Sequence, residues 1–142
     1  MVYYQQKKGL GDVGSYQVSG IPYTTSSFTI PPLGTAPLKI DFPTVSKFVT
    51  IVNSGSTTNR FRVGFSSLGV TGSVASVGGL VGTNNYFTLE SGDSFTGEWR
   101  VASIYLLSDI AGQGASASII AGLTGITSGS LPLNWTGTIG VG

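Results

Sequence analysis

The stretch Arg60-Phe61-Arg62-Val63-Gly64-Phe65-Ser66 decides the fold class. Side chains on an extended chain point alternately to opposite faces, so Phe61, Val63 and Phe65 share one side while Arg60, Arg62 and Ser66 share the other. That alternation predicts a strand with one face against a core. The same signature continues outward from it. Upstream, Lys47 to Val52 (KFVTIV) is β-branched and aromatic and is stopped by Asn53-Ser54-Gly55-Ser56. Leu38 to Phe42 puts Leu38, Ile40 and Phe42 on one face, with Pro43 ending it, and Thr24 to Ile30 is closed by Pro31-Pro32. Downstream, Tyr86 to Glu90 runs into a turn at Ser91-Gly92-Asp93. Phe95 to Val101 alternates again, with Phe95, Trp99 and Val101 inward and Thr96, Glu98 and Arg100 outward. Ile104 to Leu107 and Ala115 to Ala121 follow, and a last candidate strand, Leu131 to Ile139, puts Leu131, Leu133, Trp135 and Ile139 on one side.

No segment carries apolar residues at helical spacing over three turns, and no internal repeat is visible. Eight or nine short strands separated by turn signals predict an all-β chain, a two-sheet sandwich or jelly roll. The segment 68–85, from Leu68 to Asn85, is small and polar and reads as an extended surface loop. Loops of that length in a compact domain are more often functional than idle. The first twenty residues, MVYYQQKKGLGDVGSYQVSG, carry no strand or helix pattern. The chain thus divides into an extended N-terminal arm over 1–20 and one domain over 21–142.

The 142 residues suit a single domain with a real core, since 40% of them are hydrophobic. Charged residues are 9%, against a usual share of roughly a quarter. A surface so poor in charge is weakly defended against sticking to neighbours, which points to a surface that is normally covered. With a net charge of +1 and only Lys7-Lys8 as a like-charge cluster, there is no basic stripe for nucleic acid. No charged segment followed by an apolar one opens the chain, so no signal peptide is expected. No stretch reads as a membrane span.

Histidine and cysteine are both absent. That removes Ser-His-Asp and Cys-His catalysis and the commonest transition-metal ligands. Acid–base work is left to Asp12, Asp41, Glu90, Asp93, Glu98 and Asp109. Glu90 and Asp93 flank one turn, where they could also hold calcium with loop carbonyls, although no D-x-D-x-D run supports that. Glu98 lies on the polar face of a strand, where an ion pair with Arg62 or Arg100 is the plain expectation. The run Gly9-Leu10-Gly11-Asp12-Val13-Gly14 matches the dinucleotide pattern, but no strand precedes it, no helix follows it, and no carboxylate lies about twenty positions on. We therefore expect no enzyme activity, no cofactor and no bound metal. Asn134-Trp135-Thr136 satisfies the N-glycosylation rule, yet Trp135 reads as core or contact. Among the aromatic residues, Tyr86 beside Asn84-Asn85 is the best candidate for an exposed ring on which a host glycan could stack.

The strand series Phe48-Val-Thr-Ile-Val-Asn53, Arg60-Phe-Arg-Val-Gly-Phe-Ser66 with Leu68-Gly-Val70, and Asn85-Tyr-Phe-Thr-Leu89 resembles the small single jelly-roll capsid proteins of large DNA viruses and some phages. Glu98-Trp-Arg-Val101, Ile104 to Asp109 and Ser118 to Ile126 extend the resemblance, which covers roughly Thr24 to Ile126. It implies a single jelly-roll β-sandwich of about eight antiparallel strands in a virion structural protein. The role it implies is a penton, a homopentamer at the five-fold vertices of an icosahedral shell beside neighbouring capsid proteins. A cement or decoration protein and a carbohydrate-binding module for host attachment are the alternatives. The family brings no catalytic residues. The candidate contact residues are Tyr3, Tyr4, Lys7 and Lys8 in the arm, and Asn84, Asn85 and Tyr86 at the end of the long loop.

Overall fold

The computed structural model describes residues 20–55, 59–72, 84–138 and 140–142. Tyr3, Tyr4, Lys7, Lys8 and the Gly9–Gly14 run in the N-terminal arm, residues 73–83 of the long loop, and Ile139 lie outside the described residues.

Among the described residues eight strands make two four-stranded sheets. They are β1 (Ile21–Ile30), β2 (Leu38–Asp41), β3 (Thr44–Asn53), β4 (Phe61–Gly64), β5 (Tyr86–Leu89), β6 (Ser94–Gly97), β7 (Ser103–Ser108) and β8 (Ala115–Thr127). One sheet has the order β1-β8-β3-β6 and the other β2-β7-β4-β5. Every strand pair within them is antiparallel. The chain changes sheet at every link except β4 to β5, which are neighbours in one sheet. The sheets lie face to face around a shared core: Ile30, Val49, Ile51, Ile119 and Leu123 from one sheet with Phe61, Val63, Ile104 and Leu106 from the other. The chain is therefore an all-β sandwich.

The alternation read from sequence explains this packing. Phe61 and Val63 are fully buried, as are Val49 and Ile51 on β3. On β8, Ala115, Ala117, Ile119, Ala121 and Leu123 all point inward. Small alanines on a central strand leave room for the bulk of Phe61 and Phe42, as a core filled at crystal-like density requires. At the other end of the sandwich Val45, Ala102, Ile126 and Leu131 form a second apolar cluster. Thr124 Oγ1 donates to the Val45 carbonyl there at 2.7 Å, so this hydroxyl is buried with a partner.

Several expectations about extent need correction. The strand expected over Ala115 to Ala121 continues to Thr127, because Leu123 and Ile126 keep an inward apolar side while β8 pairs with both β1 and β3. The strand expected over Phe95 to Val101 stops at Gly97. The Trp99 indole folds back over Gly97, where a Cβ would collide with it, so the chain turns away from the ladder. Phe95 does face inward, opposite Ile51, but β6 is an edge strand and the ring stays 45% exposed. The long loop opens with a short helix, α1 (Ser67–Thr71), in which Ser66 Oγ caps the N–H of Gly69 at 2.9 Å.

Residues 131–138 do not form the expected last strand. After a 3-10 turn at Ser128–Ser130 the chain makes successive turns. Pro132 lacks a ladder donor, and Asn134 and Trp135 adopt left-handed backbone in succession (φ 47° and 64°), which interrupts an extended run. Leu131 is buried as expected, whereas Leu133 is 70% exposed and Trp135 37%.

Candidate functional site

Arg60 and Arg62 point off the outer face of β4, next to β7, and converge on Asp109 just beyond the end of β7. Arg62 Nε donates to Asp109 Oδ1 at 2.7 Å and Arg60 Nε to Asp109 Oδ2 at 2.6 Å. The Arg62 and Asp109 side chains are largely covered, while Arg60 is half exposed and also lies 3.9 Å from Glu90. Burial pushes the Asp109 carboxyl up, but the hydrogen bonds and charges of Arg62 and Arg60 outweigh it and hold the group below the usual carboxylate range. Asp109 is a fixed anion. The sequence pairs Glu98 with Arg62 or Arg100, and the structure gives Arg62 to Asp109.

Arg62 is held on three sides. Besides Asp109, its Nη1 donates to the Thr71 carbonyl at 2.9 Å and the Val70 carbonyl at 3.4 Å, satisfying the C-terminal end of α1. Its guanidinium carbon lies 4.3 Å from the centre of the Tyr86 ring. Tyr86 is thus half-buried, with one face occupied by Arg62, and is not the open platform expected from the sequence. Asn84, Asn85 and Tyr86 do come together. With Phe65 and Phe87 they line a shallow hollow of about 320 Å³.

A second cluster surrounds the C-terminal segment. Asn134 Oδ1 accepts from the N–H groups of Ala102 (2.6 Å) and Ser103 (3.1 Å), and its Nδ2 donates to the carbonyls of Ser103 (2.9 Å) and Phe65 (3.0 Å). This buried amide uses its whole hydrogen-bonding capacity on backbone. The nitrogen flagged by the glycosylation rule is therefore a structural anchor. Trp135 Nε1 donates to the Arg100 carbonyl, and Ser66 Oγ donates to the Val141 carbonyl at 2.7 Å. Phe65, Trp99, Phe87 and Phe95 pack edge-on and stacked, with centroids 4.8 to 6.0 Å apart, and close the side of the sandwich between β5 and β6.

Asn53 does at the other end what Asn134 does here. Its Nδ2 donates to the carbonyls of Asn59 and Leu89, and its Oδ1 accepts from Gly55 N–H. It reads in sequence as part of a turn signal; nothing but its position at the end of an apolar run marked it as a buried bridge between sheets.

Asp41 is joined to Lys39 at 3.2 Å, Asp109 to two arginines, and Glu90 lies 3.9 Å from Arg60. Among the described residues no group of three or more His, Cys, Asp or Glu is placed to hold a metal ion. No helix among them is long and apolar enough to cross a membrane. Comparison with known proteins gives no matching family model and no matching curated protein.

Proposed function

We propose that this chain is a virion structural protein, a single jelly-roll capsid subunit that works as a homopentamer at the five-fold vertices of an icosahedral shell. The observation that carries this reading is the strand order. A jelly roll winds eight antiparallel strands through two Greek keys into two four-stranded sheets. Orders β1-β8-β3-β6 and β2-β7-β4-β5, with a change of sheet at every link but one, support this reading. Jelly rolls serve as capsid subunits, lectins and metal-dependent cupins. A chain without His or Cys is ill-suited to the last of these. Its 9% charge and exposed Leu133, Ile120 and Trp135 favour a subunit over a freely diffusing module.

Sedimentation velocity over a wide concentration range, with electron microscopy of the product, tests this. We expect concentration-dependent association into closed rings with five-fold averages. A stable, soluble monomer at high concentration sinks the reading. Association into single copies bound on a pre-formed shell, without rings, favours the cement or decoration role.

A carbohydrate-binding role is the second reading, favoured by the hollow that brings Asn84, Asn85 and Tyr86 together with Phe65 and Phe87. It requires saturable glycan affinity that is lost in Tyr86→Ala. A flat glycan array disposes of it.

A further inference from the structure

We infer that residues 140–142 are a strap that closes one continuous aromatic groove, and that the strap lifts off without unfolding of the sandwich. This goes beyond both readings above and depends on neither. Two shallow hollows flank Phe65. One, of about 290 Å³, has Trp99 and Trp135 in its walls, and the other, of about 320 Å³, has Tyr86 and Phe87. Val141 borders the first and Gly140 the second, so two consecutive residues of the C-terminal segment form the partition between them. With that partition lifted, the hollows run together across the Phe65 ring.

The seat of the strap is shaped by missing side chains. A Cβ on the buried Gly142 would lie 2.8 Å from Ser66 Oγ and 2.9 Å from Gly69 N, and one on Gly69 would collide with the Val141 carbonyl oxygen. Backbone lies directly on backbone, an approach that glycine permits. Across this contact Ser66 Oγ donates to the Val141 carbonyl at 2.7 Å while it accepts from the Gly69 N–H at 2.9 Å. The seat is specific but slight. Among the described residues, the other hydrogen bonds of the strap close back on its own segment: the N–H groups of Val141 and Gly142 on the Thr138 carbonyl, and the Gly137 N–H on the Gly142 carbonyl. None of the three strap residues belongs to either apolar cluster. A segment with so little burial opens locally far more readily than the whole sandwich unfolds. The walls of the groove stand without it. Trp99 is packed against Phe65, Phe87 and Phe95, and the turn that carries Trp135 is fixed by the four hydrogen bonds of Asn134.

The test compares a chain ending at residue 139 and the full-length Gly142→Ala with Gly129→Ala, a control in which the added Cβ meets nothing within 4 Å. Binding of the dye anilinonaphthalene sulfonate reports the apolar groove, tryptophan emission reports Trp99 and Trp135, and urea unfolding reports the fold. In the truncated chain, dye fluorescence is expected to rise several-fold and tryptophan emission to shift to the red, while unfolding stays cooperative. Gly142→Ala, whose methyl group pushes the strap off Ser66 and Gly69, is expected to show the same changes to a smaller extent. The control matches the parent. Loss of cooperative unfolding on truncation overturns the inference, because the segment is then part of the fold. Unchanged dye binding on truncation overturns it as well, since no groove then lies beneath the strap. A groove that opens on truncation but not in Gly142→Ala overturns the seat on Ser66 and Gly69.

Discussion

The Arg62 guanidinium and the Asp109 carboxylate meet Nε to Oδ1 at 2.7 Å with only 12% and 14% of their side chains exposed. The pair ties β4 to the turn after β7 and, through the other arm of Arg62, to the end of α1. Asp109→Ala leaves Arg62 covered and short of a charged acceptor, so a loss of about 2–3 kcal/mol is expected, the usual cost of removing a charge-assisted bond from a covered site. Arg60→Ala, at the exposed side of the same carboxylate, is expected to cost clearly less, because solvent screens that pair. Urea denaturation of the two variants measures the contrast, and equal losses refute the asymmetry.

The same carboxylate makes stability depend on acid. Its folded pKa lies below the unfolded value, so its contribution is complete above the unfolded pKa of about 3.9 and is lost as pH falls through the folded one. Thermal midpoints of the parent are expected to fall more steeply below about pH 4 than those of Asp109→Asn, since the amide has no proton to gain there. Parallel curves rule this out.

Asn134→Ala removes four backbone hydrogen bonds at once and strands the N–H groups of Ala102 and Ser103 in a buried site. The expected cost is about 3 kcal/mol or more, with Trp135 becoming more exposed as the turn loosens. Chemical denaturation and acrylamide quenching of tryptophan emission report the two effects separately. Asn134→Asp keeps the acceptor but sets a carboxylate oxygen against the Phe65 and Ser103 carbonyls in a buried site, so a loss at least as large is expected.

Gly97→Ala drives a methyl group into the Trp99 ring, which Phe65 and Phe95 prevent from yielding. Overpacking of this kind costs about 1–3 kcal/mol. A shift in tryptophan emission should accompany it. Gly92→Ala, in a turn with open space around the Cα but φ 82°, is expected to lose stability without that shift.

Strand existence was legible wherever alternation was clean. Phe61 and Val63 inward against Arg60 and Arg62 outward is a signal in two dimensions, and it survives folding intact. The Leu131 to Ile139 segment carries the same surface pattern and is not a strand. Its backbone is governed by Asn134, whose four partners lie on residues 31 to 69 positions away in sequence. No local pattern encodes such partners. Tyr86 was rightly grouped with Asn84 and Asn85, yet the cation that occupies its ring comes from a neighbouring strand, across the β4–β5 ladder. The contact residues placed in the arm, Tyr3, Tyr4, Lys7 and Lys8, lie outside the described residues.

The strand order also sets a timetable. Among the described residues β1 lies at the edge of its sheet with β8 as its one ladder partner, so the first of these strands to be made waits for the last. While the chain is being synthesised, Ile21–Ile30 has nothing of its own to pair with until Ala115–Thr127 has emerged, and β3 lacks one of its two neighbours for as long. Closure of the first sheet is therefore a late, single event that spans nearly the whole domain, which makes folding slow for a chain of this size. During that wait the unpaired edge of β1 is the segment that a neighbouring nascent copy can capture, so crowded synthesis is where this protein is expected to go wrong.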